Sequence, residues 1–120
     1  LDARSESAGE SYSRVLLDRI GIPAPIPQYE VWRRGLLVGR ADFGWEEFRT
    51  LGEFDGKEKY GKLLRPGQTA ADAVFEEKRR EDALRDLGWQ IVRWMWADLY
   101  HPAELRQRLQ RAFDRGLRAA

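Results

Sequence analysis

The stretch that most constrains this chain is residues 36–60, LLVGRADFGWEEFRTLGEFDGKEKY. It reads as two neighbouring strands. The first, residues 37–43, ends on Asp42. The second, residues 50–54, carries Glu53 towards its end, and Asp55-Gly56 follows. Alternate side chains of a strand share a face, so Glu53 and Asp55 fall together if the strand continues to Asp55. Asp42 can meet them from the adjacent strand, about 5 Å away. Converging carboxylates repel one another unless a cation sits among them, and an oxygen-only donor set suits Mg²⁺ or Mn²⁺. The same residues also have a plainer reading. Asp-Gly is a common turn pair, and Glu53 can be a solvated strand residue.

Length and composition narrow the classes. A chain of 120 residues suits one domain with one core, so a single domain over residues 1–120 is expected. With 42% apolar and 34% charged residues, it is expected to fold rather than stay disordered. Cysteine is absent, which removes a disulfide framework and a thiolate metal site. His101 is the single histidine, which removes a zinc site built from several imidazoles. No apolar run reaches membrane-spanning length and no signal peptide is visible, so the cytoplasm is the expected location. A start at Leu1 without methionine suggests a C-terminal piece of a longer protein. A net charge of +1 argues neither for nor against a nucleic-acid partner.

Read in order, residues 8–20 form a first helix, with Tyr12, Val15, Leu16, Arg19 and Ile20 on one face. Gly21 and Pro23 stop it. Residues 28–32 form a strand, Arg33-Arg34-Gly35 a hairpin turn, and residues 36–43 the return strand. Residues 51–54 complete an antiparallel meander. A basic loop follows, with Lys57, Lys59, Lys62 and Arg65 around Tyr60. Such a loop beside an acidic strand end suits a phosphodiester, although alone it reads as an ordinary solvated loop. Residues 70–87 form a helix whose apolar stripe, Val74, Leu84 and Leu87, is interrupted by Glu77, Arg80 and Glu81. Those charges either cover a polar site or reach solvent. Residues 89–94 read as a central buried strand, with Trp89, Ile91 and Arg93 on one face and Gln90, Val92 and Trp94 on the other. Arg93 there needs a partner, since a buried unpaired charge is costly. Pro102 opens a last helix, with Leu105, Leu109, Ala112, Phe113 and Leu117 facing inward.

These residues carry a resemblance. The order α-β-β-β-α-β-α, with one acid on the second strand and another on the third, resembles the core of the restriction-endonuclease-like PD-(D/E)XK nucleases. Within that superfamily it looks like the very-short-patch-repair-like branch of bacterial endonuclease-like domains. The matching residues are Glu10-Ser11, Asp42-Phe43, Glu53-Phe54-Asp55-Gly56, the helical run Glu77 to Asp82, and the late strand Gly88 to Arg93. The resemblance covers nearly the whole chain, and its specificity lies in order and spacing. It implies an α/β (α+β) fold with a mixed central sheet flanked by helices. It also implies DNA as substrate and Mg²⁺ or Mn²⁺ as cofactor. Asp42 and Glu53 would be metal ligands, Asp55 a further metal ligand or a water-orienting base, and Glu10 would reach the site from the first helix as an outer ligand or through water. Lys57 would assist catalysis, while Lys59, Arg80 and Arg93 would bind phosphate. In related proteins such a domain follows a winged-helix region like that of antitoxins, which makes such a region an expected partner. One departure stands out. The superfamily's usual lysine, two residues after the third-strand acid, is Asp55 here, and Lys57 lies two residues further on. A nuclease-like domain without that lysine has a second expectation, a binding or regulatory module of an antitoxin-like protein. Its carboxylates would then form a structural ion-pair network with Arg80, Arg93 and Lys57. The amphipathic last helix also permits a protein-interaction module, although such a face more often lines a core.

Overall fold

The computed structural model describes residues 3–56 and 65–119. Its elements run α1 (Ala3–Arg19), β1 (Ile26–Arg33), β2 (Leu36–Trp45), β3 (Thr50–Phe54), α2 (Ala70–Asp86), β4 (Gln90–Trp94) and α3 (Pro102–Ala119). Short 3-10 turns at Glu46–Phe48 and Trp96–Tyr100 join β2 to β3 and β4 to α3. The fold is mixed α+β. Its sheet has the order β1-β2-β3-β4, antiparallel through the first three strands and parallel between β3 and β4.

Local chemistry explains the punctuation. At the hairpin, Arg34 and Gly35 both take positive φ, 53° and 80°, as a tight two-residue hairpin turn requires. Thr69 and Asp72 exchange side-chain and backbone hydrogen bonds at the start of α2, which closes a capping box. Gly88 leaves α2 at φ 94°, conformational space that suits glycine.

The sheet separates two apolar clusters. On one side Leu17, Phe43, Trp45, Phe54, Val92 and Trp94 pack with Leu105, Leu109, Ala112 and Phe113 of α3. On the other, Val31, Ala41, Leu51 and Trp89 pack under Leu84 of α2. The two faces of β4 divide as the alternation requires: Val92 and Trp94 join the first cluster, Trp89 and Ile91 the second. β4 is nevertheless an edge strand and not a central one. Its aromatic density serves burial under the helices. Its outward carbonyls are taken by arginines, Arg85 on Ile91 at 3.5 Å and Arg108 on Arg93. Side-chain donors on edge carbonyls are one way to blunt an open strand.

The helices correct three expectations. In α1 the inward stripe is Gly9, Ser13 and Leu17, whereas Tyr12 and Val15 are exposed. Small residues win because α1 lies close to the sheet. A Cβ at Gly9 would come within 2.0 Å of the Phe54 ring, and Ser13 accepts the buried Trp94 indole N–H at 2.9 Å. In α2 Val74 is exposed and Leu84 is the buried residue. In α3 the inward face closes on Gly116 instead of Leu117, because Gly116 abuts the Phe48 carbonyl.

Candidate functional site

The site begins where β2 leaves β3. Their ladder runs Trp45↔Thr50, Gly44↔Leu51 and Phe43↔Gly52. Asp42 therefore lies inside β2 and not at its end, because residues 43–45 still pair. At Asp42 the strand turns about its axis. Ala41 faces the α2-side cluster, while Phe43, two residues on, faces the opposite one. A regular strand would put both on one face. Gln28 of β1, between the paired residues Pro27 and Tyr29, takes φ 50° at the same level. The rotation lets the Asp42 carboxylate act as a backbone acceptor: its Oδ2 accepts the Phe54 N–H at 2.8 Å.

α1 delivers a second acid. The close approach allowed by Gly9 places Glu10 against Asp42, and the two carboxyl groups share a hydrogen bond. Burial pushes the Asp42 carboxyl up to about 7, with the negative charges of Glu10 and Glu53 adding to the rise. The Phe54 N–H opposes it. The folded chain thus holds this proton more tightly than the unfolded one, where an aspartate titrates at about 3.9. The stabilisation is complete below about pH 4 and is lost as pH rises through about 7. Asp42→Asn keeps an acceptor for Phe54 and cannot ionise. The wild-type melting temperature, measured relative to this variant, is expected to fall between about pH 4 and about pH 8. A constant offset across that range would contradict the assigned ionisation.

Glu53 points into a different company. Arg80 Nη2 of α2 donates to its Oε2 at 2.5 Å, and Arg93 Nε of β4 to its Oε1 at 3.0 Å. Glu77 accepts from both arginines, at 3.1 Å from Arg80 and 2.8 Å from Arg93. Glu81 accepts from Arg93 at 2.6 Å and from Arg85 at 2.9 Å. Burial works against the Glu81 carboxylate, but the hydrogen bonds from Arg93 and Arg85 outweigh it and hold the group below the usual range. Burial likewise disfavours the Arg93 cation, yet Glu81, Glu53 and Glu77 hold its proton more firmly than usual. The charged middle of α2 therefore forms a partly exposed ion-pair network, and Arg93 has the partners that its strand position demands.

The sequence-derived site is thus gathered in part. Glu10 and Asp42 meet, Glu53 lies near enough for its charge to act on Asp42, and Arg80 and Arg93 meet at Glu53. β3 ends at Phe54, and the Asp55 N–H continues the pairing to the Trp94 carbonyl at 2.8 Å. Among the described residues no group of three or more histidine, aspartate or glutamate side chains is disposed to hold a metal ion. Glu53 is held by Arg80 and Arg93. Lys57 and Lys59 lie outside the described residues. Sequence reasoning did not assign Glu77 and Glu81 to the site. Their spacing of four on α2, opposite an arginine-bearing strand, was the available signal. A separate cleft of about 240 Å³, lined by residues including Tyr29, Trp32, Arg33, Arg49 and Trp89, contains none of these acids.

Comparison with known proteins adds relatives but no activity. Among the described residues no helix is long and apolar enough to cross a membrane. No family model and no solved structure matches the chain. Two Mycobacterium tuberculosis proteins, the uncharacterized proteins Rv2248 (strain H37Rv) and MT2308 (strain CDC 1551), are each 33% identical to it over 115 residues. The match covers 95% of this chain but 40% of either relative, so the chain spans about two fifths of their length.

Proposed function

We propose that this is a restriction-endonuclease-like domain that hydrolyses phosphodiester bonds in DNA with the help of Mg²⁺ or Mn²⁺. The observation that carries the reading is the pairing of Glu10 with Asp42, beside Glu53, at the point where β2 twists away from β3. Carboxylates crowded until one keeps its proton near neutral pH form a place that favours positive charge. The donors are hard oxygens, which fits a small dication. Asp42 and Glu53 would hold it, with Glu10 and Asp55 as further or water-mediated ligands. When bound, such an ion lowers the pKa of its water and screens charge at phosphorus.

The chain's own groups supply the rest. Hydrolysis adds water across a P–O bond, so the attacking water must lose a proton. Glu10, beside Asp42, can accept it at a carboxylate oxygen, and the leaving oxygen takes up a proton in turn. The Arg80 and Arg93 guanidinium groups face the same region and can neutralise the non-bridging phosphate oxygens. Lys57 and Lys59 are proposed to act with them.

A second reading is favoured by a different observation. Glu53 is already neutralised by two arginines, as in a structural ion-pair network, which suits a DNA-binding or regulatory module of an antitoxin-like protein. The deciding experiment incubates the domain with supercoiled plasmid, linear duplex and single-stranded DNA, with Mg²⁺, with Mn²⁺ and with chelator. Metal-dependent cleavage is the expected result. A folded domain that binds Mn²⁺ at no concentration up to about 10 mM, well above ordinary dication affinities, and cleaves nothing would leave the binding module.

A further inference from the structure

The two arginines on Glu53 form a seat for an oxyanion. Each oxygen of the carboxylate takes one guanidinium N–H, and the two donors come from different elements, α2 and β4. Two oxygens sharing one negative charge, each met by a planar guanidinium, is also how arginines hold a phosphodiester. The seat does not depend on Glu53 for its shape. Arg80 is also fixed by the Arg40 carbonyl at 2.8 Å and by Glu77 at 3.1 Å. Arg93 is also fixed by Glu77 at 2.8 Å and Glu81 at 2.6 Å, and Arg85 braces Glu81. Withdrawing Glu53 would leave both cations oriented, one anion short.

Charge counting points the same way. Glu53, Glu77 and Glu81 balance Arg80, Arg85 and Arg93. A phosphodiester added alone would put extra negative charge into this balanced group. A dication added alone at Asp42 would have to draw Glu53 away from its arginines. Adding both lets each ligand take what the other releases.

We propose that Glu53 is a resident substitute for the substrate phosphate: a phosphodiester displaces it from Arg80 and Arg93, and the freed carboxylate joins Asp42 to complete the cation site. This rests on the nuclease reading and adds to it that substrate and metal bind with positive coupling. Glu77 and Glu81 are positioning residues that keep the seat open. Because coupling is reciprocal, it is measurable from the metal side alone.

The test is Mn²⁺ binding, followed by the electron paramagnetic resonance of the free ion, with and without dimethyl phosphate at matched ionic strength in sodium chloride. Wild-type affinity for Mn²⁺ is expected to rise about 5- to 50-fold with the diester, within the usual range of coupling between sites. Arg80→Gln is expected to bind Mn²⁺ more tightly than wild type without the diester, and to lose the coupling. If the diester leaves wild-type affinity unchanged, the proposal is overturned and the nuclease reading stands. Equal coupling in wild type and Arg80→Gln also overturns it, since the diester would then be acting on the metal directly. If neither protein binds Mn²⁺ under any condition, the nuclease reading falls and this proposal falls with it.

Discussion

If the proposed nuclease reading holds, replacing Asp42 by asparagine, or Glu53 by glutamine, is expected to lower metal-dependent DNA cleavage by about a hundredfold or more while the domain stays folded. The size follows from the location: losing one preorganised charged group from a site that stabilises transition-state charge costs about 10²–10³ in rate. The amides are chosen to separate chemistry from stability. In Asp42→Asn the side-chain oxygen can still accept the Phe54 N–H, which Asp42 Oδ2 accepts at 2.8 Å in the wild type. It also no longer crowds Glu10 with negative charge. Glu53→Gln keeps one oxygen for Arg80 or Arg93, which remain tied to Glu77 and Glu81. Circular dichroism should stay close to wild type in both variants, and plasmid nicking should not. Wild-type cleavage rates in both amide variants would move the chemistry away from these acids. Loss of folding in both would make the carboxylates structural.

The largest effect on stability is expected far from those acids, at Gly116. A Cβ there would stand 1.7 Å from the backbone oxygen of Phe48. A side chain could rotate away, but a backbone carbonyl cannot. This carbonyl also accepts the Thr50 hydroxyl at 2.9 Å, and Thr50 is fully buried at the start of β3. The Phe48 ring stacks on Phe113 of α3 with centroids 4.4 Å apart, so the helix and the turn cannot separate without losing that contact. Overpacking of this kind costs about 1–3 kcal/mol or more. The gain in helix propensity from Gly to Ala returns only about 1 kcal/mol. The Phe48 carbonyl is rigid backbone, which puts Gly116→Ala at or above the top of that overpacking range. It should therefore lower stability by roughly 2–4 kcal/mol, a large part of the roughly 5–15 kcal/mol typical of a domain. Gly35→Ala is the useful contrast. Its φ of 80° is strained for alanine, but nothing lies within 4 Å of the added methyl. A cost of about 1 kcal/mol is expected there. Urea denaturation of the two variants would rank them. A milder effect at Gly116 than at Gly35 would show that α3 can slide.

Much of the order of elements was legible in the sequence. Strand alternation in residues 89–94 divides Trp89 and Ile91 from Val92 and Trp94 because period two leaves no other choice. The turn at Arg34-Gly35 follows from glycine's freedom at positive φ. The need of Arg93 for carboxylate partners follows from the cost of an unpaired buried charge. The choice of inward face on α1 was not legible. Hydropathy favours Tyr12 and Val15, whereas contact distance favours Gly9, Ser13 and Leu17, and that distance is set by Phe54 on a strand far along the chain. The twist of β2 at Asp42 was equally hidden, because it depends on which clusters Ala41 and Phe43 meet on the two sides of the sheet.

Residue order alone sets which groups are available: oxygen donors without thiolates, acids on adjoining strands, and arginines on a helix and a strand that follow them. Local pattern is enough for that, since alternation and turn chemistry act within a few residues. Which of these groups pair is settled by packing in three dimensions. Glu53 reaches Arg80 across 27 residues of chain and Arg93 across 40, while Glu10 comes to Asp42 from a helix at the far end of the sequence order. Electrostatic partners are chosen by distance in space, and a like-charged or oppositely charged neighbour changes what a carboxylate does more than its own identity.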